Sequence, residues 1–235
     1  MLEVTASLRS AWETTLGELG VDGTGPVLVG GPLAERIGAA VPWAIADEVD
    51  GLVVLGDGPV LDPGSSVIVT GLPPASMESV FMLEAWSGPG GINEVVDEAL
   101  RIVRPGGAVW LGRVDVDALV NATVATRLSA LLYQRHAGRF RDYIDRGVVA
   151  PTEMALIRGG LRPVRSWHIE LPLAAFADAK SYLAAVTDGM WMGIDLLAPP
   201  ERKGVMADLT TELERASFPL VEYQPWVVAQ GTKLS

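Results

Sequence analysis

The sequence predicts an α/β protein, in which a mostly parallel central sheet flanked by helices closes on an antiparallel terminal pair of strands. Three observations lead there. The apolar runs LVVLGDG at 52–58 and SSVIVTGLPP at 65–74 are continuous rather than alternating, as in parallel strands covered on both faces. Strand-like and helix-like segments alternate along most of the chain. Two late runs, near 164–171 and 221–230, have the alternation of an antiparallel pair.

From the amino end, Leu8, Ala11, Trp12, Leu16 and Leu19 recur at three- and four-residue spacings, predicting an amphipathic opening helix over residues 1–20 that stops at Gly20. GTGPVLVGGP then reads as a short strand and a glycine turn, and LAERIGAAV as a helix. The clearest helix is INEVVDEALRIVR. Ile92, Val95, Val96, Ala99, Leu100 and Val103 share one face, while Asn93, Glu94, Asp97, Glu98 and Arg101 point away from it. It ends at Pro105-Gly106-Gly107, where Gly106 is expected to need a positive φ, and GAVWLGRV follows as a buried strand. Val120, Val124, Leu128, Leu131, Leu132, Phe140, Tyr143 and Ile144 predict one or two helices within a helical cover over residues 115–150. Thr152 and Glu153 open a short helix stopped by Gly159-Gly160. VRSWHIELP is a strand, AFADAKSYLAAVTDG and PPERKGVMADLTTELERA are helices, and VEYQPWVVAQGTK is the closing strand.

Length and composition set the limits. At 235 residues the chain reads as a single domain, 1–235, able to bury roughly 70% of its unfolded surface. It is 49% apolar and 20% charged, which excludes disorder. The net charge of −11 repels phosphate backbones and anionic lipid, so neither nucleic acid nor a membrane surface is expected as a partner. There is no cysteine, hence no disulfide, thiolate nucleophile or Cys-ligated zinc. MLEVTASLRSAWETTL lacks the features of a secretory signal, and no window of eighteen uncharged apolar residues suggests a membrane span. Cytoplasm stands as the default compartment.

VVDEALRIVRPGGAVWLGRV resembles the helix-turn-strand of class I S-adenosylmethionine-dependent methyltransferases, whose small-molecule members often carry an L-R-x-L-K-P-G-G segment. The other segments fit around it in the family's order. LGDGPVLDPGSSVIVTGL resembles the stretch from an adenine-reading acid to the fourth strand. TEMALIRGGLRPVRSWHIELP resembles the late helix, glycine turn and sixth strand, and PPERKGVMADLTTELERA with WVVAQGTK the closing helix and seventh strand. The resemblance covers residues 20–233 and implies a Rossmann-like methyltransferase fold with S-adenosylmethionine as cofactor. It points to Gly30 and Gly31 in the cofactor loop, Asp47 (or Glu48) as the ribose-binding acid after a strand around WAIAD, Asp57 as the adenine-reading acid, and Leu72 at the end of the fourth strand. Solvated turns are the alternative reading for the acids.

The cofactor loop departs from the family. Its first strand normally ends in an acid followed by three alternating glycines, which let backbone press against the ligand. In VLVGGPLAE those positions are Val29, Gly31, Leu33 and Glu35, so only Gly31 is retained. Only 20 residues separate Gly31 from Leu52, about half the length of the family's helix, strand and helix, which implies a missing or shrunken element.

Other chemistry is sparse. His136 and His168 lack metal-ligand spacing, and no phosphate-binding loop or G-x-S-x-G elbow occurs. His136 reads as a surface helix residue or a general base near the pocket mouth, and His168 as a satisfied residue in a strand. TDGMWMGID at 187–195 groups Met190, Trp191, Met192 and Ile194, either as core or as the wall of an acceptor pocket. Two functions follow. One is a methyltransferase-like protein with weakened or lost cofactor binding, serving as a partner or regulatory subunit or a ligand-binding pseudoenzyme; the other is an active small-molecule methyltransferase. The expected partners are a small-molecule ligand and a homo-oligomeric copy or a catalytic methyltransferase subunit, approached through Trp167, Trp191 or Trp226 unless these are core.

Overall fold

The structure is a computed structural model that describes residues 2–20, 27–30, 53–54, 72–83, 88–121, 128–136, 152–189 and 197–234. The helix over LAERIGAAV, the strand around WAIAD, the run 65–71 and the Met190–Ile194 group lie outside the described residues. The opening helix forms as its spacing dictates: α1 spans Leu2–Glu18, and Trp12 and Leu16 are buried. The strands are β1 (Val27–Gly30), β2 (Val53–Val54), β3 (Met77–Leu83), β4 (Val103–Val114), β5 (Val164–Phe176) and β6 (Leu220–Thr232). They form one six-stranded sheet in the order β2-β1-β3-β4-β6-β5.

Pairing is parallel from β2 through β4, and β6 inserts antiparallel between β4 and β5. This is the Rossmann-like methyltransferase arrangement, with the expected terminal pair. One strand assignment changes. The strand between β1 and β4 is Met77–Leu83, not the run ending at Leu72, and Leu72 precedes it by five residues. Val53–Val54, inside the expected run LVVLGDG, lies directly beside β1 and pairs parallel with it, and the residues between Gly31 and Leu52 lie outside the described residues.

Both faces of the sheet are covered, which is why β3 reads as nearly continuous apolar sequence. On one face Leu28, Val80, Met82, Val109, Leu111 and Ala229 pack under α2 (Gly88–Ile102) and α5 (Thr152–Arg158). On the other, Phe81, Leu83, Trp110, Val114, Trp226 and Val228 meet α1, α3 (Val116–Asn121), α4 (Ala130–Arg135), α6 (Ala179–Thr187) and α7 (Pro199–Leu213). The α2 stripe is the best sealed: Ile92, Val95, Val96, Ala99 and Ile102 are all buried. Each large apolar side chain buried this way contributes about 1.5–3 kcal/mol, which holds a helix marginal on its own.

The turn from α2 into β4 shows why proline and paired glycines stand there. Met77 pairs with Val103 but Ser79 with Ala108, so Arg104–Gly107 bulge out of the ladder. Gly106 has φ +82°, as expected, with open space where a Cβ would stand. Gly107 is constrained by space instead, since an added Cβ would lie 2.5 Å from the Glu78 carbonyl oxygen and 3.0 Å from that of Arg104. Gly112 is also close-packed, against Leu83 and the Trp226 ring. Lys233 clamps the turn. Its Nζ donates to the Leu100 and Val103 carbonyls at 2.7 and 2.9 Å, and its backbone exchanges hydrogen bonds with Gly106 and Gly107. A cation at these unsatisfied carbonyls is favoured by the helix dipole.

In the carboxyl half, β5 extends beyond VRSWHIELP to Phe176, taking Ala175 and Phe176 that the sequence pattern places in the next helix. Asp178 then caps α6, accepting from the Ser181 N–H at 2.7 Å, and that bond holds its carboxyl below the usual range. Val205, Leu209 and Leu213 form the buried stripe of α7.

Candidate functional site

In a parallel α/β sheet the ligand crevice lies beyond the carboxyl ends of the strands where the chain reverses its direction of winding. Here that point is β1, with β2 on one side and β3 on the other. Gly30 is the last residue of β1 and pairs with Met82, so it stands at the crevice without a side chain. Leu72 lies at the opposite, amino end of the sheet, against the cluster that holds Met77 and Val103. The strand end beside Gly30 is Leu83. Gly31, Asp47 and Asp57 lie outside the described residues; in sequence Asp47 precedes β2 and Asp57 follows it by three residues.

Further along the same rim, Asp115 terminates β4 and is held three ways. Its N–H donates to the Pro225 carbonyl at 2.8 Å, its Oδ1 accepts from the Ala118 N–H at 2.9 Å, and its Oδ2 lies 2.7 Å from His168 Nδ1. His168 is thus a satisfied strand residue, as expected. His136 is not on the surface: it ends α4 with its side chain only 10% exposed, Nδ1 4.0 Å from Glu201 Oε1. Its Nε2 is buried without a hydrogen-bond partner among the described residues.

The residues the sequence conceals are on β6. In VEYQPWV the polar Glu222 and Gln224 ought to face water, yet they are buried with Trp226 on the core side. Glu222 is 2% exposed, and its Oε1 accepts from the Ser129 N–H at 2.8 Å, which ties the start of α4 to the sheet. The Ser129 hydroxyl and the Trp226 indole N–H are buried without hydrogen-bond partners among the described residues. Burial, and then the nearby Glu222 carboxylate and Tyr133, push the Tyr182 hydroxyl far above the usual phenol range, keeping it protonated. Because β6 runs against β4, this amino half of β6 lies near the carboxyl end of β4, next to the helical cover. The signal in the sequence is that Glu222 and Gln224 share the strand face of Trp226. Glu222 and Tyr133 both lie near the Tyr182 hydroxyl, and this buried ladder offers no nucleophile.

Among the described residues no group of three His, Asp or Glu side chains could hold a metal ion, and no helix is long and apolar enough to cross a membrane. No protein-family model and no curated protein matches the chain. Solved structures do. Phosphoethanolamine N-methyltransferase 2 of Haemonchus contortus, in complex with phosphomonomethylethanolamine and S-adenosylhomocysteine, aligns with 95% of this chain at 9% identity and a TM-score of 0.40. The chain spans about half of that enzyme's length, 53%. A SAM-dependent methyltransferase of Thermotoga maritima aligns over 98% of this chain and 89% of its own, at 13% identity and a TM-score of 0.40. A Bacillus halodurans protein assigned as a methyltransferase aligns over 94% and 98%, at 13% identity and a TM-score of 0.44. The fold assignment rests on strand order and direction.

Proposed function

We propose that this chain is a methyltransferase-like protein in which S-adenosylmethionine binding is weakened or lost, so that it serves as a ligand-binding or partner subunit. The observation that carries this reading is the end of β1. Val29 and Gly30 close the strand at the crevice, with Gly31, Pro32, Leu33, Ala34 and Glu35 next in sequence. The resemblance aligns Val29 with the acid that would meet the cofactor's ammonium, and Leu33 and Glu35 with the glycines that let backbone touch ligand, so neither function has its usual residue. Asp47 and Asp57, on either side of β2 in sequence, stand as the candidates for the ribose and the adenine.

A second reading, an active small-molecule methyltransferase, is favoured by Gly30, which leaves the end of β1 without a side chain at the crevice, as close approach of a cofactor requires. Methyl transfer needs chiefly proximity and alignment, so sparse acid-base chemistry does not argue against it. Rebuilding the loop separates the two. The variant carrying Val29→Asp, Leu33→Gly and Glu35→Gly is expected to bind S-adenosylmethionine at least about tenfold more tightly than the native chain in equilibrium dialysis, a gain of about 1.4 kcal/mol. Equal or tighter binding by the native chain would favour the enzyme.

A further inference from the structure

We propose that Arg113 anchors the ligand of this chain, and that the ligand is a small organic acid whose carboxylate the guanidinium holds. The inference rests on the ligand-binding reading above and names the chemistry of that ligand. Arg113 is half-buried, and its Nε is buried without a hydrogen-bond partner among the described residues. It forms no ion pair with any of them. Other described arginines differ. Arg101, Arg104, Arg135 and Arg215 pair with Glu98, Glu78, Asp208 and Glu212, Arg162 donates to the Ile157 and Leu161 carbonyls, and Arg158 and Arg165 are exposed to water. A guanidinium stripped of water at Nε needs an acceptor to compensate it, and a carboxylate brings two oxygens that match its fork.

The place of Arg113 in the sheet points to the ligand crevice. A Cβ at Gly112 would meet Leu83, Trp226 and Val228, so alternation turns Leu111 and Arg113 to the opposite face, the one that α2 covers. On that face Gly30, Met82 and Leu111 stand in one row across β1, β3 and β4. Arg113 is two residues beyond the row toward the carboxyl rim, about 12 Å from Gly30 at the usual strand spacing and rise. It therefore lies on the crevice rim but away from the β1 loop. Among the described residues no acid takes the ligand's place: the first turn of α2 carries none, and Asp115 spends its two oxygens on the Ala118 N–H and His168. One guanidinium balances one negative charge. In a chain of net charge −11, a carboxylate is a better match for it than a doubly charged phosphate monoester.

In the ¹⁵N-labelled full chain, the Arg113 Nε–Hε resonance is assigned by its loss in Arg113→Lys, and burial of Nε slows its exchange with water. Sodium acetate is expected to shift this resonance saturably. Sodium chloride at the same ionic strength is expected to leave it in place, and the Arg101 resonance, already paired with Glu98, is expected to stay put under both salts. Arg113→Gln is expected to weaken acetate at least tenfold, read at the backbone amides of Gly112 and Val227, with unchanged circular dichroism. Its affinity for S-adenosylmethionine is expected to match that of the native chain, so the two claims are read separately: tight cofactor binding would overturn the loop reading and leave the acetate result standing. The proposal is overturned by a shift that does not saturate or that chloride reproduces, by inorganic phosphate saturating the site where acetate does not, or by S-adenosylmethionine affinity falling with Arg113→Gln. Acetate binding only after Glu84→Gln would also overturn it, because the acid next in sequence to β3 would then be the arginine's own partner.

Discussion

Replacing Trp226 by alanine is expected to reduce the unfolding free energy by about 4 kcal/mol, in the range found when a buried tryptophan is truncated in a core that cannot collapse. Trp226 is 1% exposed on the middle strand of the antiparallel half, and its side chain joins the cluster made by β3, β4 and the covering helices. Gly112 leaves just enough room for it, because a Cβ there would stand 3.3 Å from the indole Cε3. Trp167, only partly buried at the edge of the same cluster, is expected to lose less than half as much. Urea unfolding followed by circular dichroism measures both. A Trp226→Ala loss below about 1 kcal/mol would mean that the helical cover does not seat on β6 as described.

The second large effect is at adjacent glycines with different constraints. Gly107→Ala is expected to lose about 3 kcal/mol, since its Cβ would be driven into two backbone carbonyls and the Val103 side chain, none of which can rotate away freely. Gly106→Ala meets nothing and loses only the cost of a left-handed backbone, about 1 kcal/mol. Thermal midpoints of the two variants decide the matter: Gly106→Ala the more damaging would show that turn conformation, and not the approach of β3 to the bulge, sets this junction.

The fold was legible where one physical signal dominated. Ile92 through Val103 at helical spacing left no competing pattern, and the proline and glycines after them announced the turn. The terminal pair was legible because Trp167 and Ile169 alternate with polar residues. Met77–Leu83 was hidden behind the more apolar run ending at Leu72, because Glu78 and Ser79 dilute its start. Those polar residues are tolerated there because Glu78 reaches the rim and pairs with Arg104. The β6 ladder was hidden for the opposite reason. Alternation assigns Tyr223, Pro225 and Val227 to the core, and only tertiary contacts, Ser129 above all, make it favourable to bury Glu222. His136 belongs with these: its sequence neighbours are basic and polar, but α7 lies over it.

The central claim concerns the crevice at β1, and calorimetric titration of S-adenosylmethionine into the native chain tests it most directly. With Val29 at the strand end and side chains at Leu33 and Glu35, the expected dissociation constant is above about 100 µM, less than about 5.5 kcal/mol of binding free energy. A low-micromolar constant with one-to-one stoichiometry would contradict the account and restore the chain to the catalytic members of its fold.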